Sequence, residues 1–181
     1  MRGTVELPGG PTQEEVIAVV LGKLRLRPGD RVVEIGCGTG AVTLALAKAG
    51  ARVMAIDRRP EAIAATRERL ASAGFSIDCV AGEAAACLSD MGPFDAAFVG
   101  GSRDLAEVLG LLADRVSAAI VVNAVLLSTV HAAIETMTGL GIFEEAVQVQ
   151  IARSYPLAGS IMWRPIDPVC VIIGRGRRRC S

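Results

Sequence analysis

The chain has 181 residues, of which 51% are hydrophobic and 21% charged, a composition that suits one globular domain and excludes a disordered protein. Lysine plus arginine and aspartate plus glutamate balance at 19 each, and aromatic residues make up only 3%. A basic surface and an aromatic platform for bases are therefore not expected, so we predict no nucleic-acid partner.

Cysteine spacing and apolar runs indicate the cellular compartment of the protein and whether it has a metal site. The five cysteines form no C-x-x-C pair and His131 is the only histidine, so we predict reduced thiols, no metal site and a cytoplasmic location. The N-terminus lacks the apolar run of a signal peptide, and polar residues interrupt the uncharged stretch 116–134. These features predict no leader peptide and no membrane partner.

Helical and strand patterns alternate along most of the chain. Residues 12–15 resemble a capping box, with Thr12 as N-cap and Glu15 reaching back to it, ahead of a helix that stops near residue 28. Apolar runs predict strands at 31–35, 52–56, 77–81, 94–99 and 118–122, and helical patterns predict helices at 41–49, 60–73, 84–88, 104–113 and 127–138. Beyond residue 141 we predict strands at 145–151 and 169–173, joined by a loop around 154–165.

This alternation predicts an α/β fold, with a doubly wound, mostly parallel sheet of about seven strands and a C-terminal antiparallel hairpin. The cofactor should lie across the carboxyl ends of the first two strands. We assign residues 1–174 to this one domain. Residues 175–181, which hold Arg175, Arg177, Arg178 and Arg179, are predicted to be a basic, disordered tail.

A glycine-rich loop follows the first predicted strand and opens a helix. Its residues, Glu34-Ile-Gly36-Cys37-Gly38-Thr39-Gly40, allow a sharp turn and close approach of a ligand to the backbone. Asp57 ends the second strand, where a carboxylate binds ribose hydroxyls. Together these features predict an adenosine-containing cofactor.

The loop also satisfies the dinucleotide pattern through Gly36, Gly38 and Ala41, so an NAD-dependent oxidoreductase is an alternative. Glu34 argues against it, because a carboxylate would repel a pyrophosphate but suits the cations of S-adenosylmethionine. Gly40 completes a G-x-G-x-G form that resembles class I methyltransferases. Glu83 and Ala84, just after the third strand, are placed near the adenine. We therefore predict S-adenosylmethionine as cofactor.

Several segments together resemble one family, the decarboxylating precorrin methyltransferases of cobalamin biosynthesis, which act at ring carbon 15. These segments are residues 8–12, 34–40, 55–63, 82–84, 98–102, 121–127 and 150–153. The resemblance implies methylation of a precorrin, loss of carbon dioxide from an acetate side chain, a homotetramer, and in some relatives a fused carbon-5 methyltransferase. It also implies cofactor contacts at Thr12, residues 36–40, Asp57 and Ala84, whereas Glu83 stands where relatives often have aspartate.

The resemblance implies a polycarboxylate substrate, and arginine binds carboxylates through two parallel hydrogen bonds. Candidate substrate anchors are Arg103, Arg153 and Arg164, with Asn123 and Tyr155 as hydrogen-bond partners. We expect Arg153 to end the sixth strand at the lip of the cleft. No catalytic acid or base is assigned, and Cys37 is interpreted as a small packing residue rather than a nucleophile.

Two other functions stay open from the sequence. One is a class I methyltransferase acting on another small molecule or on RNA. The other is a cofactor-binding or assembly domain without catalysis, against which the intact glycine loop argues.

Overall fold

Helices and strands alternate up to Gly139, and a long hairpin follows. The structure is a computed structural model that describes residues 12–101 and 103–177. Each helix and strand predicted before residue 141 is confirmed, with ends shifted by a few residues. The elements are α1 Glu14–Leu24, β1 Arg31–Ile35, α2 Ala41–Lys48, β2 Arg52–Asp57, α3 Pro60–Ser72, β3 Asp78–Ala81, α4 Ala84–Ser89, β4 Ala96–Val99, α5 Leu105–Arg115, β5 Ala119–Ala124, α6 Leu127–Gly139, β6 Phe143–Leu157 and β7 Ser160–Arg175.

The strands form one seven-stranded sheet in the order β3-β2-β1-β4-β5-β7-β6. Strands β1 to β5 pair in parallel, whereas β7 pairs antiparallel with both β5 and β6. The predicted doubly wound sheet with a closing hairpin is therefore confirmed. Chain order reverses at β1, which has β2 on one side and β4 on the other, so a crevice opens at the carboxyl ends of these strands.

Both faces of the central parallel strands β1, β4 and β5 are buried, which explains their largely apolar runs. On β1, Val33 and Ile35 pack in the cluster that includes α5 and α6 residues, whereas Val32 packs against α1 and α2. Because side chains alternate along a strand, Glu34 shares the face of Val32. This register places a carboxyl group inside the protein, at the end of β1 where the glycine loop begins.

The prediction of a loop around 154–165 is wrong, because these residues extend the two strands of the hairpin. Strand pairing continues through Arg153 with Arg164 and Tyr155 with Met162, and ends at Leu157 with Ser160. The two turn residues, Ala158 and Gly159, both have positive φ (49° and 76°), as two-residue hairpins of type I′ require. Residues 151–166, which we call the hairpin arm, are mostly exposed on both faces, so no buried face imposes the alternation that would reveal a strand.

The predicted capping box at α1 is also wrong. The N-cap is Gln13, it makes no side-chain capping bond, and the helix starts at Glu14. Glu15 does not reach back along its own chain, because its Oε2 accepts a hydrogen bond from Arg153 Nη2 at 2.8 Å. A tertiary ion pair therefore replaces the expected local capping contact. The two glutamates of the first turn still interact favourably with the positive end of the helix dipole.

The C-terminal boundary differs from the prediction as well. Arg175 ends β7 and its Nε lies 2.8 Å from Glu144 Oε1, and Arg177 Nη2 lies 2.7 Å from Asp114 Oδ1. Residues 175–177 thus continue the fold instead of starting a tail, and residues 178–181 lie outside the described residues. The uncharged stretch 116–134 corresponds mainly to β5 and α6. In the described part of the chain, no helix has the length and apolar character needed to cross a membrane.

Candidate active site

Two cavities open at the carboxyl ends of the parallel strands and meet beside the loop after β1. The smaller cavity, of about 340 Å³, lies over β2 and β3 and includes Asp57, Glu83 and Ala84 in its lining. The larger cavity, of about 650 Å³, lies over β1 and β5 and includes Glu34 and Asn123. Four residues line both cavities: Gly36, Arg59, Gly100 and Gly101.

Gly36 forms the narrow boundary between these cavities. Its φ is +79°, and a Cβ built on it would lie 2.8 Å from the backbone nitrogen of Gly101. The Gly36 N–H donates to the carbonyl oxygen of Ile56 at 2.7 Å, so the loop is tied to β2 while it touches the loop after β4. No side chain fits at this position without moving one of these backbones.

Asp57 is buried, and four N–H groups donate to its carboxylate. Oδ1 accepts from the backbone N and from Nε of Arg59, each at 3.0 Å, and Oδ2 accepts from Gly38 N at 3.0 Å and Arg59 Nη2 at 3.1 Å. Burial raises the pKa of Asp57, but the hydrogen bonds from Arg59 and Gly38 outweigh burial and hold the pKa below its ordinary value. The group is therefore a carboxylate near neutral pH.

Glu34 is the opposite case, since it is 1% exposed and its Oε2 has no hydrogen-bond partner among residues 12–101 and 103–177. Burial raises the pKa of Glu34 to about 7; the nearby Thr43 hydroxyl lowers it in part, and the Asp57 charge raises it further. The Thr43 hydroxyl has no hydrogen-bond partner among the described residues. A buried, unpartnered carboxyl group on the lining of a cavity is ready to pair with a cation.

The structure brings most of the predicted cofactor residues together. Thr12, Glu34, Gly36, Cys37, Gly38 and Thr39 line the larger cavity, and Asp57, Glu83 and Ala84 line the smaller one. Gly40 lines neither, because it packs against Thr66, where an added Cβ would lie 3.0 Å from the Thr66 Cα. Residues 8–11 and Ser102, which carry part of the family resemblance, lie outside the described residues.

Cys37 has the surroundings of a packing residue. Its thiol is buried and lies 3.4 Å from the Thr66 hydroxyl. Burial raises the pKa of Cys37 to about 12, which the Thr66 hydrogen bond only partly offsets. The thiol is therefore protonated near neutral pH and is a poor nucleophile.

The predicted substrate residues are dispersed. Asn123 lines the larger cavity, and within the described part of the chain both its amide nitrogen and its amide oxygen lack a hydrogen-bond partner. Arg103 lines the smaller cavity instead, with its Nη1 3.6 Å from Glu83 Oε1. Tyr155 and Arg164 lie on the hairpin arm and stack on each other, with the Arg164 Cζ 4.4 Å from the ring centre. Only Asn123 is thus placed as expected.

Arg153 does not end a strand at the lip of the cleft, because β6 continues to Leu157. Its guanidinium is engaged by the start of α1, with contacts to Gln13 Oε1 at 3.2 Å, Glu14 Oε1 at 3.6 Å and Glu15 Oε2 at 2.8 Å. It therefore ties the hairpin arm to α1. Local sequence reasoning missed this because the partners are more than 130 residues away.

We expect Arg153→Ala to lower the free energy of unfolding by less than about 1 kcal/mol, the usual limit for an exposed ion pair. Substrate KM should change by less than about threefold, because Arg153 contacts the helix and not the cavity. Urea unfolding and steady-state kinetics on the same preparation measure both quantities. A large KM increase with unchanged stability would restore Arg153 as a substrate anchor.

The sequence reasoning also missed Arg59, two residues after Asp57. It is the only lysine or arginine among the described residues that line the larger cavity. Its signal was present in the sequence, since Arg58 and Arg59 directly follow Asp57 and Pro60 begins α3.

Comparison with known proteins gives concordant matches. The sequence model of the precorrin methyltransferase domain matches residues 6–174. A protein of Methanosarcina acetivorans named probable cobalt-precorrin-6B C(15)-methyltransferase (decarboxylating) is 41% identical, with 97% of this chain and 98% of that protein covered. A crystal structure of precorrin 8W decarboxylase from Methanobacterium thermoautotrophicum superposes with a TM-score of 0.88 at 36% identity and covers 91% of each chain. Precorrin-6Y C5,15-methyltransferase from Geobacter metallireducens gives a TM-score of 0.87 at 28% identity and covers 94% of each chain.

Proposed function

Since this chain belongs to the precorrin methyltransferase family, we propose that it transfers a methyl group to ring carbon 15 of cobalt-precorrin-6B and releases carbon dioxide from an acetate side chain of that substrate. The observation that carries the proposal is the pair of cavities meeting at Gly36, one with an ionised carboxylate and the other with an unpartnered buried carboxyl group. The smaller cavity would hold the nucleoside part of a cofactor, and the larger cavity would hold the rest of the cofactor and the second reactant.

The residues present fit S-adenosylmethionine. In the smaller cavity, Asp57 is placed for the ribose, and Glu83 and Ala84 begin the α4 region where the adenine would lie. Glu34 lines the larger cavity, where it would pair with the ammonium and sulfonium cations, and no described lysine or arginine forms an ion pair with it. Bound there, S-adenosylmethionine supplies an electrophilic methyl group on a good leaving group. A dinucleotide fits less well, because Glu34 would face a pyrophosphate.

The larger cavity suits a flat, largely apolar macrocycle with polar side chains. Val125 and Leu126 line this cavity and are 60% and 64% exposed, and exposed apolar residues grouped in this way are typical of ligand-binding grooves. Asn123 lies deeper, with a free amide that can donate to one carboxylate of the substrate. The chain's task is to orient one acetate and hold the reacting carbon in line, which by itself accounts for a large rate gain.

Turnover of cobalt-precorrin-6B with S-adenosylmethionine tests the proposal. We expect one methyl group gained and one carbon dioxide lost per product, measured by mass spectrometry and by release of labelled carbon dioxide. Asn123→Ala should lower kcat/KM while the affinity for S-adenosylhomocysteine stays unchanged. Transfer to tRNA or to a small phenol, with none to the tetrapyrrole, would instead support a class I methyltransferase of other specificity.

We also propose a homotetramer, supported by the hairpin arm. The arm presents exposed apolar side chains on both faces, since Ile161 and Trp163 share one face and Leu157 and Met162 the other. Nothing in the described part of this chain covers them. Further copies of the chain would bury them, as closed symmetric assemblies do.

Trp163→Glu is expected to shift the protein to smaller species, because the charge would be buried at the interface between copies. Analytical ultracentrifugation of wild type and variant measures the change. Leu126→Glu, an equally exposed position beside the larger cavity, is the control and should keep the wild-type assembly. An identical sedimentation profile for Trp163→Glu would remove the arm from the interface.

We also propose a cytoplasmic location, supported by the free thiols of the four described cysteines, Cys37, Cys79, Cys87 and Cys170. We propose as well that the enzyme works with a carbon-5 methyltransferase, supported by its similarity to a protein named precorrin-6Y C5,15-methyltransferase.

A further inference from the structure

Arg59 stands at the junction of the two cavities. It is the N-cap residue of α3 and its side chain is 28% exposed. Of the described residues that line the larger cavity, Glu34 and Asp167 are acidic and Arg59 alone is cationic. A substrate with several carboxylates would meet two acidic groups there, so a cation is needed to hold it. The three arginines expected to do so lie outside this cavity.

The present partner of Arg59 is Asp57. The guanidinium donates through Nε to Oδ1 at 3.0 Å and through Nη2 to Oδ2 at 3.1 Å, which is the two-bond geometry that arginine adopts on any carboxylate. Two backbone N–H groups, of Arg59 and Gly38, donate to the same oxygens. A carboxylate offers about four acceptor sites, so these four donors use them all.

Ribose hydroxyls therefore compete with the Arg59 side chain for Asp57. The two backbone N–H groups cannot leave without unfolding the loop after β1 or the start of α3. The guanidinium can leave, because it belongs to a long side chain that is partly exposed. A bound ribose would thus displace the guanidinium and leave it without a partner, next to the larger cavity that it already lines.

We propose that Arg59 is the anchor for a substrate carboxylate and that cofactor binding releases it from Asp57, so that the cofactor binds before the tetrapyrrole. This inference rests on the proposed function, since it needs a ribose at Asp57 and a polycarboxylate in the larger cavity. Thermodynamic linkage makes the effect reciprocal: each ligand raises the affinity for the other by the same factor.

Equilibrium binding tests this without turnover. Cobalt-precorrin-6B is titrated into the protein with and without saturating S-adenosylhomocysteine, and its visible absorption is followed. We expect the wild type to bind the tetrapyrrole about ten- to a hundredfold more tightly with S-adenosylhomocysteine present, the usual range of coupling between two sites. Asp57→Ala should bind the tetrapyrrole tightly without the nucleoside, because its Arg59 is already free.

Arg59→Gln should bind the tetrapyrrole weakly under both conditions, and Arg59→Lys should recover part of the affinity because it keeps the charge without the planar fork. Calorimetry should show that Arg59→Gln binds S-adenosylhomocysteine as tightly as the wild type or more tightly. Arg52→Gln, which removes an exposed arginine at the opposite end of β2, is the matched control and should resemble the wild type. Circular dichroism checks that each variant is folded.

Three results would overturn the inference in distinguishable ways. If Arg59→Gln retains the full effect of S-adenosylhomocysteine on tetrapyrrole binding, Arg59 is not the anchor. If Arg59→Gln loses affinity for S-adenosylhomocysteine instead, Arg59 stays on Asp57 and supports the ribose site. If the wild type binds no cobalt-precorrin-6B under either condition, the proposed function itself fails, and this inference fails with it.

Discussion

Glu34→Gln is expected to stabilise the ligand-free protein by about 3 kcal/mol at pH 8 and to leave its stability nearly unchanged at pH 4. In the folded protein, burial raises the pKa of Glu34 from 4.5 to about 7. The unfolded chain therefore loses this proton at lower pH than the folded one does. Stability attached to the protonated carboxyl is complete below pH 4.5 and declines as the pH rises to about 7.

Glutamine has nearly the same shape and does not ionise, so the variant lacks this decline. Urea unfolding at pH 4, 6 and 8 measures the difference between variant and wild type. Glu68→Gln, at an exposed position of α3, controls for the change in net charge and should show no such pH dependence. A stability difference that stays constant across this range would mean that the pKa of Glu34 is the same in the folded and the unfolded protein.

The same variant should bind the cofactor less well. Because S-adenosylmethionine has an ammonium and a sulfonium cation and S-adenosylhomocysteine has only the ammonium, Glu34→Gln should weaken the first more than the second. We expect a loss of about tenfold or more for S-adenosylmethionine at pH 8, in line with a hydrogen-bonded charge pair. Stability gained and affinity lost at one residue would mark Glu34 as a group kept for binding.

Gly36→Ala is expected to abolish measurable cofactor binding and to lower the free energy of unfolding by about 2–4 kcal/mol, since both strain and overpacking contribute. Its φ of +79° is unfavourable for alanine, and the new Cβ would lie 2.8 Å from Gly101 N and 3.1 Å from Gly101 Cα. Relief requires the loop after β1 or the loop after β4 to move. Both loops line both cavities, so any such movement changes the two sites together.

Gly38→Ala is the matched control for stability. It shares the left-handed backbone, with φ +56°, but no atom lies within 4 Å of the added Cβ. We expect a loss of only about 1 kcal/mol, the cost of that conformation alone. Chemical unfolding compares the two variants, and calorimetry with S-adenosylhomocysteine measures binding. Equal destabilisation of both would show that the contact between Gly36 and Gly101 is not tight in solution.

Much of the fold follows from local sequence. Runs such as Val32–Val33 and Ile120–Val122 are apolar at every position because both sheet faces are covered, and such runs alternate with helical patterns. Gly36 and Asp57 are recognisable from short stretches of sequence. Gly36 directly follows the apolar run of β1, where the chain must turn tightly, and Asp57 ends the apolar run of β2. The positions of Gly36 and Asp57 beside the two cavities were therefore predictable from the sequence alone.

The substrate side was not predictable in this way. Arg153, Arg164 and Arg103 are equally good carboxylate ligands by residue type, and only the folded chain pairs the first with Glu15, stacks the second on Tyr155 and brings the third to Glu83. The hairpin arm escaped detection because neither of its faces is buried within the chain.

The sequence by itself thus determined the order of elements, the parallel sheet and the glycine loop, since each depends on periodicity or spacing among near neighbours. Tertiary structure alone decided that Glu34 is buried without a described partner for its Oε2, and that Arg59, which lines both cavities, pairs with Asp57. Which side chain a charge meets depends on strands and helices far apart in sequence. Burial, which sets the energy of that charge, is a property of the whole packed domain.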